Sequence, residues 1–177
     1  YGVVPVENST EGAVNNTQDC LINCTLSIVG EVIVPIIHHL LVRPGTAEAN
    51  ITKIASHKQS LAQCRQWILN SFPDVELVEC SSNAEASKLA SESGTIAAIA
   101  GSLAAEVYGL EILRDKVHDQ HHNSTRFLVL SNSTKKPSGS DKTSVLIYAK
   151  NKPGALFRIL EPFESLRINL TKIETRP

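Results

Sequence analysis

The stretch VELVECSSNAEASKLASESGTIAAIAGSLAAEVYG, residues Val75 to Gly109, alternates between two hydrophobic periods. Val75 to Val78 and Thr95 to Ala100 are short apolar runs of strand length. Asn83 to Ser91 and Leu103 to Tyr108 instead repeat apolar residues at helical spacing, and Gly109 stands where a helix takes a left-handed cap. Strand, helix, strand, helix is the rhythm of an α/β domain with a largely parallel sheet.

Working outward toward the N-terminus, Leu61, Cys64, Trp67, Ile68 and Phe72 predict one amphipathic helix over Gln59 to Phe72, ended by Pro73. Ile51 to Ser56 is a short strand, and Leu26 to Val42 an extended, β-branched run with a kink at Pro35. Tyr1 to Val6 predicts a buried strand, with Pro5 marking its exit. Asn8, Ser9, Thr10 and Glu11 follow with the spacing of a helix N-cap and an acidic residue three positions on.

Toward the C-terminus, Thr125 to Leu130 is one more strand, and SNSTKKPSGSDK, Ser131 to Lys142, lacks any large apolar residue and predicts a linker. A second module then opens with a strand at Thr143 to Ala149, a helix at Gly154 to Leu166 and a strand at Asn169 to Glu174. The expected organisation is one domain over residues 1–131, a linker over 132–142 and a second module over 143–177. One helix and two strands bury little apolar surface. With no methionine in the sequence either, the chain is expected to be a piece of a longer one, inactive and poorly folded by itself, with the first strand exposing apolar surface.

Composition excludes several classes. Seventeen Lys and Arg against eighteen Asp and Glu leave a net charge of -1, without the basic stripe that a nucleic acid partner requires. The longest apolar run, Val32 to Val42, is broken by Pro35, His38 and His39, so no membrane span is expected. Cys20, Cys24, Cys64 and Cys80 have neither zinc-site spacing nor the density of a disulfide scaffold, which predicts reduced thiols and a cytoplasmic location. Asn-x-Ser/Thr triplets at Asn8, Asn15, Asn23, Asn50, Asn123, Asn132 and Asn169 are expected to stay unglycosylated, several lying in runs that look buried. His118, His121 and His122 in HDQHH are expected to form a polar loop and to bind no metal.

Three polar clusters stand at strand ends. ENST, Glu7 to Thr10, either caps a helix or lines the crevice in which α/β folds bind ligands. SHKQ, Ser56 to Gln59, again lies between a strand and a helix, and alone His57 reads as a capping or surface histidine. HNSTRF, His122 to Phe127, drives an arginine into a strand, which costs free energy unless the guanidinium meets an anion or a carboxylate. Taken together, hydroxyls, amides and a cation at three strand ends predict one polar cleft.

Those stretches carry a family resemblance. YGVVPVENSTEGAV, SHKQ, NSTRFLVL and the pair PGALF and IETRP are similar, in the same order and over essentially all 177 residues, to the prephenate dehydratase family with a regulatory ACT domain behind it. The resemblance implies an α/β, two-lobed dehydratase domain like the type II periplasmic binding proteins, with its active site between the lobes and the N-terminal part of its first lobe expected to be missing here, followed by a truncated ferredoxin-like ACT domain. It implies a lyase that converts prephenate to phenylpyruvate, losing water and carbon dioxide, in phenylalanine biosynthesis. It calls for no cofactor and no metal, names phenylalanine as a feedback effector, and predicts a homodimer. SHKQSLAQCRQW and KTSVLIYAKNKPGAL are similar to the bifunctional members in which a chorismate mutase domain precedes the dehydratase.

Carried over residue by residue, the resemblance makes Thr125 the hydroxyl that contacts the departing ring oxygen and Glu7 a proton donor. Asn8, Ser9, Thr10, Ser56, His57, Gln59, Asn123, Arg126 and Phe127 become substrate-binding residues, with Arg126 holding either a carboxylate or an internal ion pair. Lys58 stands where the family often has proline, and Ser102 lies one position beyond the family's usual serine. In the second module, Gly154, Ala155 and Leu156 with Glu174, Thr175, Arg176 and Pro177 resemble the two motifs that bind phenylalanine. Arogenate as substrate, and a non-catalytic module of the same fold that binds a small anion, are the alternatives.

Overall fold

The computed structural model describes residues 1–120 and 122–175. By its contacts the chain divides into two units, Tyr1–Lys135 and Lys136–Pro177. The first unit holds two sheets, five α-helices and one short 3-10 helix among its described residues.

The five-stranded sheet is organised around β4 (His39–Val42), β5 (Lys53–His57), β6 (Glu76–Cys80), β7 (Ile96–Ala100) and β8 (Glu111–Arg114), in the order β6-β5-β7-β4-β8. β5 pairs in parallel with β6 and β7, whereas β4 pairs antiparallel with β7 and β8. The chain leaves β5 through α2 (Lys58–Gln63) and α3 (Arg65–Ser71), and returns from β6 to β7 through α4 (Asn83–Glu92). Outward and return crossovers of the same hand place helices on opposite faces of a sheet.

Period-two alternation sorts the core accordingly. Leu40, Val42, Ile54, Ala97 and Ile99 face one side with Leu61, Cys64 and Ile68 of the α2–α3 segment. Leu41, Ala55, Ala98 and Ala100 face the other with Ala86 and Ala90 of α4 and Ala105 of α5 (Ser102–Tyr108). Alanines on both sides of that second interface let helix backbones approach the sheet closely. Gly109 closes α5 in the left-handed conformation, as its position in the sequence predicts.

The four-stranded sheet, β2-β1-β9-β3, is antiparallel throughout. It contains β1 (Gly2–Asn8), β2 (Gly12–Ala13), β3 (Ser27–Pro35) and β9 (Ser124–Ser131). Its core is small: Val6, Leu128 and Leu130, with Val4 and with Leu21 of α1 (Asn15–Ile22). One sheet is therefore antiparallel and the other mixed, which corrects the expectation of a largely parallel sheet. Hydrophobic periodicity measures burial of the two faces and does not encode strand direction.

Several elements depart from their sequence-based expectation. The run Leu26 to Val42 is two strands in different sheets, and the break at Pro35 is where the chain passes from one sheet to the other. No helix begins at Asn8 to Glu11. Those residues form a turn that sends the chain back as β2, with Gly12 at φ +86, and the first helix starts at Asn15. Gln59 to Phe72 breaks at Cys64 (φ -116, ψ 11), because Asp119 accepts the Gln66 and Trp67 N–H groups and caps a fresh helix there. β8 was not anticipated.

In the second unit, α6 (Ala155–Ser165) forms where its apolar spacing predicts. Thr143–Ala149 and Asn169–Glu174 form no strands. Neither segment pairs with the other, and an extended segment without a ladder partner gains no hydrogen bonds.

Candidate active site

The turn after β1 and the first residues of β9 bring the first and third polar clusters together. In the antiparallel register Asn8 lies opposite Thr125 on one side and opposite Gly12 on the other. Asn8 Oδ1 accepts the backbone N–H groups of Thr10 (2.9 Å) and Glu11 (3.2 Å), which fixes the amide's orientation. Its Nδ2 must then point away, and it donates to Thr125 Oγ1 at 2.9 Å and to Asn123 Oδ1 at 3.0 Å. Asn123 is only 8% exposed, and its own Nδ2 donates to Gln63 Oε1 at 3.2 Å. Gln63 Oε1 also lies 2.9 Å from Nε2 of the buried His38.

Ser9 stitches the turn to β9. Its N–H donates to the Ser124 carbonyl and its hydroxyl accepts from Ser124 N–H, each at 2.9 Å.

The second cluster meets the first across an open cavity of about 590 Å³. Its lining draws Thr10, Glu11 and Asn123 from the first and third clusters, His57, Lys58, Gln59, Ala62 and Gln63 from β5 and α2, and His118, Asp119 and Gln120 from the loop before β9. His57 Nδ1 accepts the Gln59 N–H at 3.3 Å, so the histidine caps α2 while its ring borders the cavity.

Ser56 lies elsewhere. It is fully buried, with the Ile99 carbonyl 2.6 Å and Asn83 Oδ1 3.0 Å from its hydroxyl. Asn83 Oδ1 also accepts from His57 N–H and Ser60 Oγ at 3.1 Å each, so this cluster holds the loop's shape beneath the cavity.

Arg126 follows Thr125, and strand alternation sends it to the opposite face of β9. There its Nε and Nη2 each lie 2.7 Å from Glu31 Oε2, and Nη1 lies 3.9 Å from Glu7 Oε2. Glu7, paired in register with Arg126, is thereby placed away from the Thr125 hydroxyl. Phe127 shares Thr125's face, in register with Pro5 and Val32, and neither it nor Thr125, Asn8, Ser9 or Ser56 is among the residues lining the cavity. Ser102 begins α5 and is exposed.

In the second unit, Gly154 caps α6 and Ala155 and Leu156 open it, while Glu174 pairs with Lys172 at 3.4 Å. Thr175 ends the described residues, and Arg176 and Pro177 lie outside them. His121 of HDQHH lies outside them as well, and among the described residues no group of three or more His, Cys, Asp or Glu has the arrangement to hold a metal ion. No helix among them is long and apolar enough to cross a membrane.

Electrostatically, the cavity is bordered by Glu11, Asp119 and Lys58 as formal charges, with His57 and His118 beside them. Burial lowers the His38 pKa; the Gln63 hydrogen bond opposes that shift, and His118 and His39 add to it. Sequence reasoning missed Gln63, Asn83 and His38. Gln63 lies one helical turn beyond Gln59 on the same face, a spacing that marks it as a neighbour of the cluster.

These features define an α/β chain in which hydroxyl, amide and imidazole groups border one open polar cleft, and in which Thr125 connects to that lining through Asn8 and Asn123. Residues 1–135 match the family model described as prephenate dehydratase, and the chain belongs to that family. It is 52% identical over its full length to a bifunctional chorismate mutase/prephenate dehydratase of Pseudomonas aeruginosa, of which it spans 48%. Against arogenate dehydratase 1 of Petunia hybrida the identity is 39%, covering 99% of this chain and 42% of that one. The crystal structure of a prephenate dehydratase from Arthrobacter aurescens in complex with L-Phe superposes with a TM-score of 0.80 at 34% identity, covering 99% of this chain and 60% of that one. The chain thus spans about half the length of these curated relatives.

Proposed function

We propose that this chain carries the site of a prephenate dehydratase, and that Thr125 is its catalytic hydroxyl. In prephenate, breaking the bond between the ring and its carboxylate releases carbon dioxide. The electron pair moves into the ring and expels the C4 oxygen, which leaves as water once it has gained a proton; the aromatic product is phenylpyruvate. A protein assists by holding the dianion, by giving the departing oxygen a hydrogen bond or proton, and by keeping the carboxylate partly desolvated. Aromatisation supplies the driving force, and these steps call for no cofactor.

One observation carries the assignment. Asn8 donates to Thr125 Oγ1, so the hydroxyl oxygen is already an acceptor and its single proton is left to be given elsewhere. Asn8 itself cannot turn over, because two backbone N–H groups hold its oxygen. Asn123, Gln59, His57 and Thr10 then serve substrate binding in the cavity, with Ser9 and Ser56 holding its walls. Arg126 is assigned to the Glu31 ion pair and Glu7 to the same charge group, in preference to carboxylate binding and proton donation. The assay is direct: prephenate added to the full-length protein that contains this chain yields phenylpyruvate, read by its absorbance in alkali, and formation of no product by that protein overturns the assignment.

Identity to the Petunia protein supports arogenate as a second substrate, differing by an amine for a keto group. The same assay run with both substrates, scoring phenylalanine as the product from arogenate, decides between them.

The remaining organisation is proposed on the same basis. Residues 1–131 belong to a two-lobed domain of the type II periplasmic-binding-protein kind without the N-terminal part of its first lobe, 132–142 are a linker, and 143–177 are the first part of a ferredoxin-like ACT domain. That domain binds phenylalanine through Gly154, Ala155, Leu156, Glu174, Thr175, Arg176 and Pro177 in a homodimer. Support comes from the L-Phe complex of the Arthrobacter protein. Saturating phenylalanine is expected to inhibit turnover, and unchanged turnover contradicts it. Four free cysteines fit a cytoplasmic setting.

A further inference from the structure

We infer that His38, buried at the entry to β4 in the other sheet, is a positioning residue that ends a hydrogen-bond relay reaching the Thr125 hydroxyl. The inference rests on the proposed dehydratase function and adds to it a residue that lines no part of the cavity.

The relay runs through named atoms whose donor and acceptor roles follow from one another. It is anchored at the turn, where Thr10 and Glu11 N–H groups fix Asn8 Oδ1 as acceptor. Asn8 Nδ2 therefore donates to both Thr125 Oγ1 and Asn123 Oδ1. With its oxygen so engaged, Asn123 presents Nδ2 to Gln63, and Gln63 must answer with Oε1. The second group on that oxygen is His38 Nε2, which must then carry a proton. His38 is in consequence the Nε2–H tautomer, and its buried Nδ1, which has no hydrogen-bond partner among the described residues, is a bare lone pair.

The His38 backbone is fixed on both sides, and burial confines its ring. Its backbone N–H donates to His118 Nδ1 at 3.4 Å, and its carbonyl accepts from Val117 N–H at 2.8 Å. His39, adjacent in the chain, is turned to Asp115 at 2.7 Å. A rigid donor at the far end stops Gln63 from rotating its amide. Gln63 in turn keeps Asn123 from flipping and offering Asn8 a second donor in place of an acceptor. Each member is worth little by itself, but a relay of fixed polarity specifies where the Thr125 proton points.

His38→Phe keeps a buried ring and removes the donor, and is expected to lower kcat about 10- to 100-fold with KM little changed, as for a misplaced catalytic group. His38→Gln returns an N–H near the position of Nε2 and is expected to restore most of the loss. Equal turnover in wild type and His38→Phe overturns the relay. So does His38→Gln being as impaired as His38→Phe at matched melting temperature.

A second measurement does not depend on activity or on the variants folding. Imidazole nitrogen NMR of the wild-type protein is expected to show His38 protonated at Nε2 and bare at Nδ1, and the opposite tautomer overturns the relay. Failure to turn over either prephenate or arogenate, with the Nε2–H tautomer present, instead removes the proposed function and leaves the network standing.

Discussion

In the five-stranded sheet, Leu40, Leu41 and Val42 expose no surface at all, whereas in the four-stranded sheet Ile33 exposes 58% of its surface and Val32 46%. The first sheet is covered by helices on both faces and carries two clusters of buried side chains; the second has one helix and three buried residues. At about 1.5–3 kcal/mol for each fully buried aliphatic side chain, most of the stabilisation in this unit resides in the first sheet. Yet Asn8 and Thr125 belong to the second. The proposed chemistry is thus mounted on the less buried sheet, and its orientation is set through Asn123 and Gln63 by His38, at the entry to the more buried one.

The largest expected effect is on stability. Leu41→Ala should cost about 2–5 kcal/mol in urea unfolding, through lost transfer free energy and the cavity left behind. Ile33→Ala should cost under about 1 kcal/mol, since an exposed side chain leaves no cavity. Similar losses at both positions break the contrast between the sheets.

Next comes the ion pair on the reverse face of β9. Glu31→Gln should cost about 1 kcal/mol, because the partners are roughly 70% buried and doubly contacted but still reach solvent. Turnover should stay within a few-fold. A large rise in KM with stability unchanged would return Arg126 to substrate binding.

A smaller effect follows from protonation. The His38 pKa is depressed in the folded chain, so below the ordinary histidine value of about 6.5 the unfolded chain takes up a proton that the folded one refuses. More protons bound by the unfolded state means stability that falls as pH drops through that range. His38→Phe should flatten this part of the profile, and an unaltered slope assigns it to other groups.

The smallest effect is chemical. Burial, with Asp119 adding to it, pushes the Cys64 thiol up to about 12, while Cys20 is exposed. Thiol reagents at pH 8 should label Cys20 promptly and reach Cys64 only on unfolding. Prompt labelling of Cys64 in the native protein would mean that the α2–α3 face of the buried sheet opens.

How much was legible depends on which residues are asked. The short apolar run Thr95 to Ala100 and the helical spacing of α4 are local, and both were readable. Strand direction was not, because the same periods serve either pairing. NSTEG shows why a local signal misleads: Asn8 Oδ1 accepts N–H groups two and three residues on, as an N-cap does, and what differs is that Glu7 and Asn8 then pair with Ala13 and Gly12. The cluster of Asn8 with Thr125 was readable as strand-end chemistry. Arg126 was readable as needing an anion, but not that Glu31 provides it from β3. Ser56 looked equivalent to His57, and only the fold separates the buried hydroxyl from the ring at the cavity. His38 left no trace beyond being polar in an apolar run, since its partner Gln63 lies 25 residues away.

The central claim is that Thr125, held by Asn8 across two distant parts of the chain, gives the hydrogen bond on which turnover depends. Phenylpyruvate formation from prephenate by Thr125→Val and Thr125→Ser, at matched melting temperatures, tests it most directly. The valine variant should lose at least about 100-fold in kcat and the serine variant should keep most of it. Wild-type turnover by Thr125→Val would contradict the claim.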